Sequence, residues 1–151
     1  MSTELVLFVP DVIPVQQGSK VYGITKDGRA YGREAAGGKL YKYRNAVALA
    51  ATEALKGQSK PLFAQYVPVS LSIVFLYKAL KSAPDRVWKI SAPDADKLCR
   101  ATGDALTGIV YYDDAQVADL HASKRHAILG ERPGVHIIVR ELREDESIEH
   151  R

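Results

Sequence analysis

The sequence predicts an α+β domain, a mixed β-sheet covered by two helices, with a basic hairpin near the N-terminus. Three observations carry this prediction. β-type and helical runs follow one another in the order β, hairpin, α, β, α, β, β, without repeats or low-complexity linkers. Two stretches, 40–55 and 96–108, combine helix-forming composition with a glycine stop, Gly57 and Gly108. An Asp27-Gly28 pair separates two β-prone arms. The chain has 151 residues, 46% of them hydrophobic, which is enough for one core and too short to make two domains the expectation. One domain is expected over 1–143, followed by a flexible acidic tail over 144–151.

The elements are justified in order. Residues 4–9 (ELVLFV) form a short β-type run that Pro10 closes, and 12–18 (VIPVQQG) read as an irregular crossing. In 20–33 (KVYGITKDGRAYGR), Gly28 supplies the positive φ that a tight hairpin turn requires. The arms carry Tyr22, Tyr31 and several cations, so a mobile basic hairpin or flap is expected. Gly37-Gly38 breaks the chain before the first helix, 40–55 (LYKYRNAVALAATEAL). Alternation in 67–77 (VPVSLSIVFLY) predicts a half-buried strand with Val69, Leu71, Ile73 and Phe75 on one face. A polar loop through Pro84, Asp85 and Trp88 leads to the second helix, 96–108. An aspartate is its expected N-cap, and Leu98, Ala101, Ala105 and Leu106 form its inward stripe. Residues 117–124 and 135–142 read as the closing strands.

Charge is unevenly spread about a formal net of +3. The stretch 20–44 holds Lys20, Lys26, Arg29, Arg33, Lys39, Lys42 and Arg44 against Asp27 and Glu34, while Glu141, Glu144, Asp145, Glu146 and Glu149 make the C-terminus acidic. The latter suits a solvated or frayed tail. Cys99 is the single cysteine, so no intrachain disulfide can form, and on a helix beside Leu98 it reads as a small core residue. No apolar run reaches the roughly 18 residues of a membrane span, and no basic region precedes an apolar core at the N-terminus. A cytosolic, soluble protein is expected. His121, His126, His136 and His150 lack zinc spacing, and no phosphate-binding glycine loop occurs.

Asp94 and Asp96, with Asp114 further along, stand out chemically. Lys97 and Arg100 alone face Asp94, Asp96, Asp104, Asp113 and Asp114 in this interval. Two carboxylates at a helix entrance and a third carried in by a later loop can hold a divalent ion such as Mg²⁺, which takes hard oxygen ligands and keeps several waters. Such an ion can activate water for phosphodiester hydrolysis. Arg100, four residues after Asp96, lies on the same helical face and can meet a phosphate or pair with a carboxylate. The same residues are equally explained without metal, with Asp96 capping the helix and Asp113-Asp114 forming a polar turn. A calcium loop is disfavoured, because no glycine sits at the sixth position from Asp94 and no glutamate at the twelfth.

The runs Pro93-Asp94-Ala95-Asp96-Lys97-Leu98, Asp104-Ala105-Leu106-Thr107-Gly108 and Asp113-Asp114-Ala115-Gln116-Val117 resemble the RusA-type Holliday junction resolvases, found largely in phages and prophages. The resemblance is close over 93–124 and looser elsewhere. It implies a RusA-like fold and a homodimeric, Mg²⁺-dependent endodeoxyribonuclease, with Mn²⁺ as substitute, that cuts four-way DNA junctions by paired incisions. It implies Asp94, Asp96 and Asp114 as the metal-binding catalytic carboxylates, with Asp113 and Lys97 around them. The family commonly has asparagine where this chain has Lys97 and an important lysine where it has Arg100. Arginine keeps the charge and can bind phosphate bidentately, but it does not transfer a proton. Lys20, Arg29, Arg33, Lys42, Arg44 and Lys124 are the expected DNA contacts, Lys124 matching a basic position of the family. Tyr111, Tyr112 and Trp88 are candidates for stacking on unpaired bases. Two other readings stay open: a less selective flap or branch nuclease, and a non-catalytic module that binds branched DNA.

Overall fold

The computed structural model describes residues 3–18, 20–34 and 37–148, with backbone alone at 20, 21, 33, 34, 147 and 148. Strand β1 is Glu4–Pro10, β2 is Lys20–Ile24 and β3 is Ala30–Glu34; helix α1 is Gly38–Ala54, strand β4 Val69–Tyr77 and helix α2 Ala95–Leu106. A 3-10 turn, Asp114–Gln116, leads directly into β5, Val117–His126, and β6 is Gly134–Glu141. The predicted α+β architecture with a mixed sheet and two helices is what forms.

Four strands make the main sheet in the order β1-β6-β4-β5. β6 is antiparallel to both β1 and β4, while β4 and β5 are parallel. Parallel neighbours need a crossover, and α2 supplies it. Val69, Leu71, Ile73 and Phe75 are all buried, as their alternation predicts. β4 lies between two partners, so the other side of it is covered as well at Ser70 and Leu76. Leu98, Ala101, Ala105 and Leu106 of α2 and Leu40, Tyr43, Val47 and Ala51 of α1 complete the core. One polar tie joins the helices inside it: the Tyr43 hydroxyl meets that of Thr102 at 2.7 Å, and Thr102 donates in turn to the Leu98 carbonyl at 2.9 Å.

β2 and β3 form a separate two-stranded ribbon. Its connection is longer than an Asp-Gly turn because Thr25 staples it. The Thr25 N–H donates to the Arg29 carbonyl at 2.8 Å and the Thr25 hydroxyl oxygen accepts from the Arg29 N–H at 3.0 Å, with Gly28 at φ +86°. Tyr22 lies across Gly32 and Tyr31 across Gly23, so a Cβ on either glycine would strike a ring. The acidic C-terminal segment, expected to fray, begins as a 3-10 turn over Glu144–Ile148. Glu146 holds it by accepting from the Arg140 guanidinium at 2.8 Å and the Arg143 N–H at 2.9 Å. No helix among the described residues is long and apolar enough to cross a membrane.

Candidate active site

Asp94, not Asp96, occupies the N-cap of α2, and its side chain makes no capping bond. The Asp94 carboxylate lies instead 3.5 Å from the Lys97 ammonium, with both groups partly in solvent. Asp96 sits exposed in the first turn. What fixes this end of the helix is backbone and lysine chemistry. The Asp94 N–H donates to Gln16 Oε1 at 3.0 Å, and the Lys124 ammonium donates to the carbonyls of Ser91 and Pro93 at 2.7 and 2.6 Å. Lys124 therefore holds the loop that carries Asp94. Lys89 joins the same cluster by donating to Ser91 Oγ at 3.0 Å. Burial, then the charge of Lys124, push its amine below the usual lysine range.

The other end of α2 is built differently. Asp113 caps the 3-10 turn, its carboxylate accepting from the Ala115 N–H at 2.9 Å. Gln116 closes the reciprocal half of the box, accepting from the N–H groups of Tyr112 and Asp113 at 2.9 and 3.0 Å. Its amide nitrogen also donates to the carbonyls of Ala64 and Val67, both at 2.9 Å. The Asp-Asp-Ala-Gln run is thus first a capped turn welded to the 64–67 loop. Asp114 projects from it, and the Asp113 side chain, burial and the nearby Asp104 together raise its carboxyl above the ordinary value of 3.8. Asp104 is half-buried and accepts from the Gln17 amide. Asp104 and Arg44 line one groove of about 530 Å³ between α1 and this end of α2.

Gln16, Gln17 and Gly18 form a polar strap along α2. Besides the two side-chain bonds already given, the Gln17 N–H donates to the Lys97 carbonyl at 3.1 Å. Arg100 lies across Gly18, whose φ is +108° and where a Cβ would sit 2.8 Å from the guanidinium. Sequence reasoning passed over the strap because glutamines in an irregular segment carry no periodic signal.

Carboxylate oxygens suit Mg²⁺, but two of them on one ion at bonds of about 2.1 Å lie at most about 4.2 Å apart. Among the described residues, no three Asp, Glu, His or Cys side chains are grouped to hold an ion. The expected trio therefore does not fit a shared metal within one chain: Asp94 and Asp96 stand at one end of α2, and Asp114 stands with Asp104 and Asp113 at the other. Tyr111 is fully buried and donates to the Gly103 carbonyl at 2.9 Å, so it packs rather than stacks on bases, whereas Tyr112 and Trp88 are exposed. Lys42 and Arg44 fall on different sides of α1, lining separate grooves. Arg29 is exposed near the ribbon tip, 3.5 Å from Asp27. The side chains of Lys20 and Arg33 lie outside the described residues, and their backbones belong to β2 and β3. Burial, with Asp96 nearby, pushes the Cys99 thiol up to about 11, which removes it as a nucleophile.

Comparison with known proteins places this geometry. A family model described as "Endodeoxyribonuclease RusA" matches residues 12–140. The "Crossover junction endodeoxyribonuclease rusA" of Lactococcus phage r1t is 37% identical over 71 residues, 46% of this chain and 54% of the phage protein. The match thus spans about half of that relative's length. The "Uncharacterized protein YqaN" of Bacillus subtilis strain 168 is 30% identical over 140 residues, 85% of this chain and 91% of the Bacillus protein.

Proposed function

The chain belongs to the RusA endodeoxyribonuclease family, and on that premise we propose that it is a structure-selective endodeoxyribonuclease that resolves four-way DNA junctions by paired incisions. The observation that carries the proposal is the family match over 12–140, which contains the strap, both helices and the five aspartates Asp94, Asp96, Asp104, Asp113 and Asp114. Asp94, Asp96 and Asp114 are the proposed catalytic carboxylates. Arg100 is the proposed phosphate contact, permanently charged and able to grip two oxygens at once. The proposed requirement for a divalent cation, Mg²⁺ with Mn²⁺ as substitute, rests on the hard oxygen chemistry of these acids, although one chain does not gather three of them.

DNA affinity would come from Lys20, Arg29, Arg33, Lys42 and Arg44 through phosphate contacts, and would fall as salt rises. The exposed Tyr112 and Trp88 can add stacking on unpaired bases. Lys124 contributes by positioning the Asp94 loop. A homodimer suits the substrate, because a four-way junction has approximate two-fold symmetry and paired cuts call for paired sites. The division of the acids, together with the Asp94–Lys97 pair, favours one alternative, a module that binds branched DNA without cutting it.

The deciding experiment incubates the purified chain with a labelled four-way junction and a linear duplex of the same sequence, with Mg²⁺ and with chelator. Symmetric cuts in the junction alone, lost with chelator, are expected. Tight junction binding without cutting in Mg²⁺ or Mn²⁺ would replace the nuclease with the binding module.

A further inference from the structure

Resting on the nuclease proposal above, we propose that the β2–β3 ribbon reads the branch point: the rings of Tyr22 and Tyr31 stack on bases that end a duplex arm beside the cut. The register of the ribbon puts the two rings on opposite faces. Tyr22 pairs with Gly32 and Gly23 with Tyr31, and successive residues of a strand point to opposite sides. Each ring leans across the glycine opposite it. A Cβ on Gly32 would come 2.9 Å from the Tyr22 ring, and one on Gly23 would come 2.6 Å from the Tyr31 ring. The glycines give the rings their resting place, yet Tyr22 stays 75% and Tyr31 43% exposed.

The fold makes no use of these rings beyond the ribbon itself. The hydrogen bonds described for 22–32 stay within it, and neither tyrosine joins the hydrophobic core. Ile24, on the same face as Tyr22, is 76% exposed. A two-stranded ribbon is marginal on its own in water, and laying its aromatic side chains on the body of the protein is the ordinary remedy. Here they are kept away from it. Charge says what covers them, since 20–34 holds four cations against two acids, with Lys26 and Arg29 exposed at the turn. A nucleobase offers a flat apolar face bordered by phosphates. In a linear duplex each base is already covered on both sides, whereas an opened branch point uncovers the last base pair of each arm. Stacking on the ribbon therefore favours a junction over a duplex.

The root of the ribbon lies at the site. Gln16 accepts from the Asp94 N–H, and Gly18 lies against the Arg100 guanidinium. Tyr22 is four residues beyond Gly18, at most about 14 Å of chain. Bases of one strand are about 3.4 Å apart, so the Tyr22 backbone falls within roughly four base steps of the phosphate proposed for Arg100. An incision that resolves a junction lies beside the crossover, and this reach joins the two.

The test separates stacking from the rings' part in holding the ribbon together. A chain carrying Tyr22→Leu and Tyr31→Leu keeps apolar cover over both glycines and loses the flat rings, while Tyr22→Phe with Tyr31→Phe keeps them. Affinities for a four-way junction and for a linear duplex of the same sequence are read by gel shift in chelator. The leucine chain should lose about tenfold on the junction and less than about twofold on the duplex, and the phenylalanine chain should match the wild type on both. Equal losses on both DNAs, or no loss on the junction, would overturn the proposal.

Cross-linking gives a second readout in the wild-type chain. Iodouracil placed beside the crossover and irradiated in the complex should join Tyr22 or Tyr31, and the same base inside a linear duplex should join neither. Adducts at Tyr112 or Trp88 alone, or none, would take the stacking away from the ribbon. Neither measurement uses cutting. A wild type that binds junctions and cuts none ends the nuclease proposal and leaves affinities and adducts to judge the ribbon; a wild type that cuts junctions while the leucine chain binds them normally ends the ribbon proposal alone.

Discussion

At its entrance, α2 presents Asp94 and Asp96 as exposed side chains that carry none of the helix's hydrogen bonding, although a capping aspartate is the commonest use of that position. At its far end the acids have structural work: Asp113 caps a turn and Asp104 receives the Gln17 amide. The difference teaches that a motif's residues need not stand equally close to the chemistry. Acids that the fold does not use are the better candidates for a substrate, and on that ground Asp94 and Asp96 separate from Asp113 and Asp104.

The largest expected effect tests that separation directly. Asp96→Asn should reduce junction cutting on the order of 10³-fold while leaving binding in a gel-shift assay intact or tighter, since a repulsive charge is gone. Asp113→Ala, which removes the acceptor of the Ala115 N–H, should cost about 1 kcal/mol of stability and only a modest part of the rate. Equal loss of cutting in a well-folded Asp113→Ala chain would break the comparison.

Stability should show the reverse order. Gln116→Ala removes four hydrogen bonds at the far end and should destabilise by about 2–4 kcal/mol, read from denaturant unfolding. Breaking the Asp94–Lys97 pair by Asp94→Asn should cost under about 1 kcal/mol, because water screens both partners. Lys124→Met should lower cutting roughly tenfold by loosening the Asp94 loop, with junction affinity little changed; a large affinity loss would return Lys124 to the DNA contacts.

The smallest effect is a pH signature confined to one end. Asp114's carboxyl is held above 3.8 by Asp113, burial and Asp104, so the folded chain binds this proton more tightly than the unfolded one. The resulting destabilisation is absent well below pH 3.8 and sets in as pH rises through the raised value. Asp114→Asn should therefore melt about 1–3 °C above the wild type at neutral pH and coincide with it in acid. Asp94→Asn, which removes an attraction, should show no such gain.

Much of the fold was legible because burial imposes periodicity. Val69, Leu71, Ile73 and Phe75 alternate as a strand must, and Leu98, Ala101 and Ala105 recur as a buried helix face must. Strand order was not legible, since the parallel β4–β5 pairing depends on which side α2 crosses, and that is fixed by packing between distant segments. The acids were legible as a set from the resemblance. Their division was not, because spacing along a chain says little about distance across a helix and a strand. The hold of Lys124 on the Asp94 loop was not legible for the same reason: its two carbonyl partners lie more than thirty positions earlier in the sequence.

The strand and helix that separate the acids also limit how the gene can change length. A residue inserted within α2 rotates everything after it by about 100°, and one inserted within β5 turns the following side chains to the opposite face. The first change would misplace one acid group relative to the other, and the second would turn Lys124 away from the Ser91 and Pro93 carbonyls that it holds. The connections 78–93 and 127–133 lie outside this span, and length variation among descendants of this sequence should collect there, at residues such as the fully exposed Leu129, leaving 94–126 constant in length.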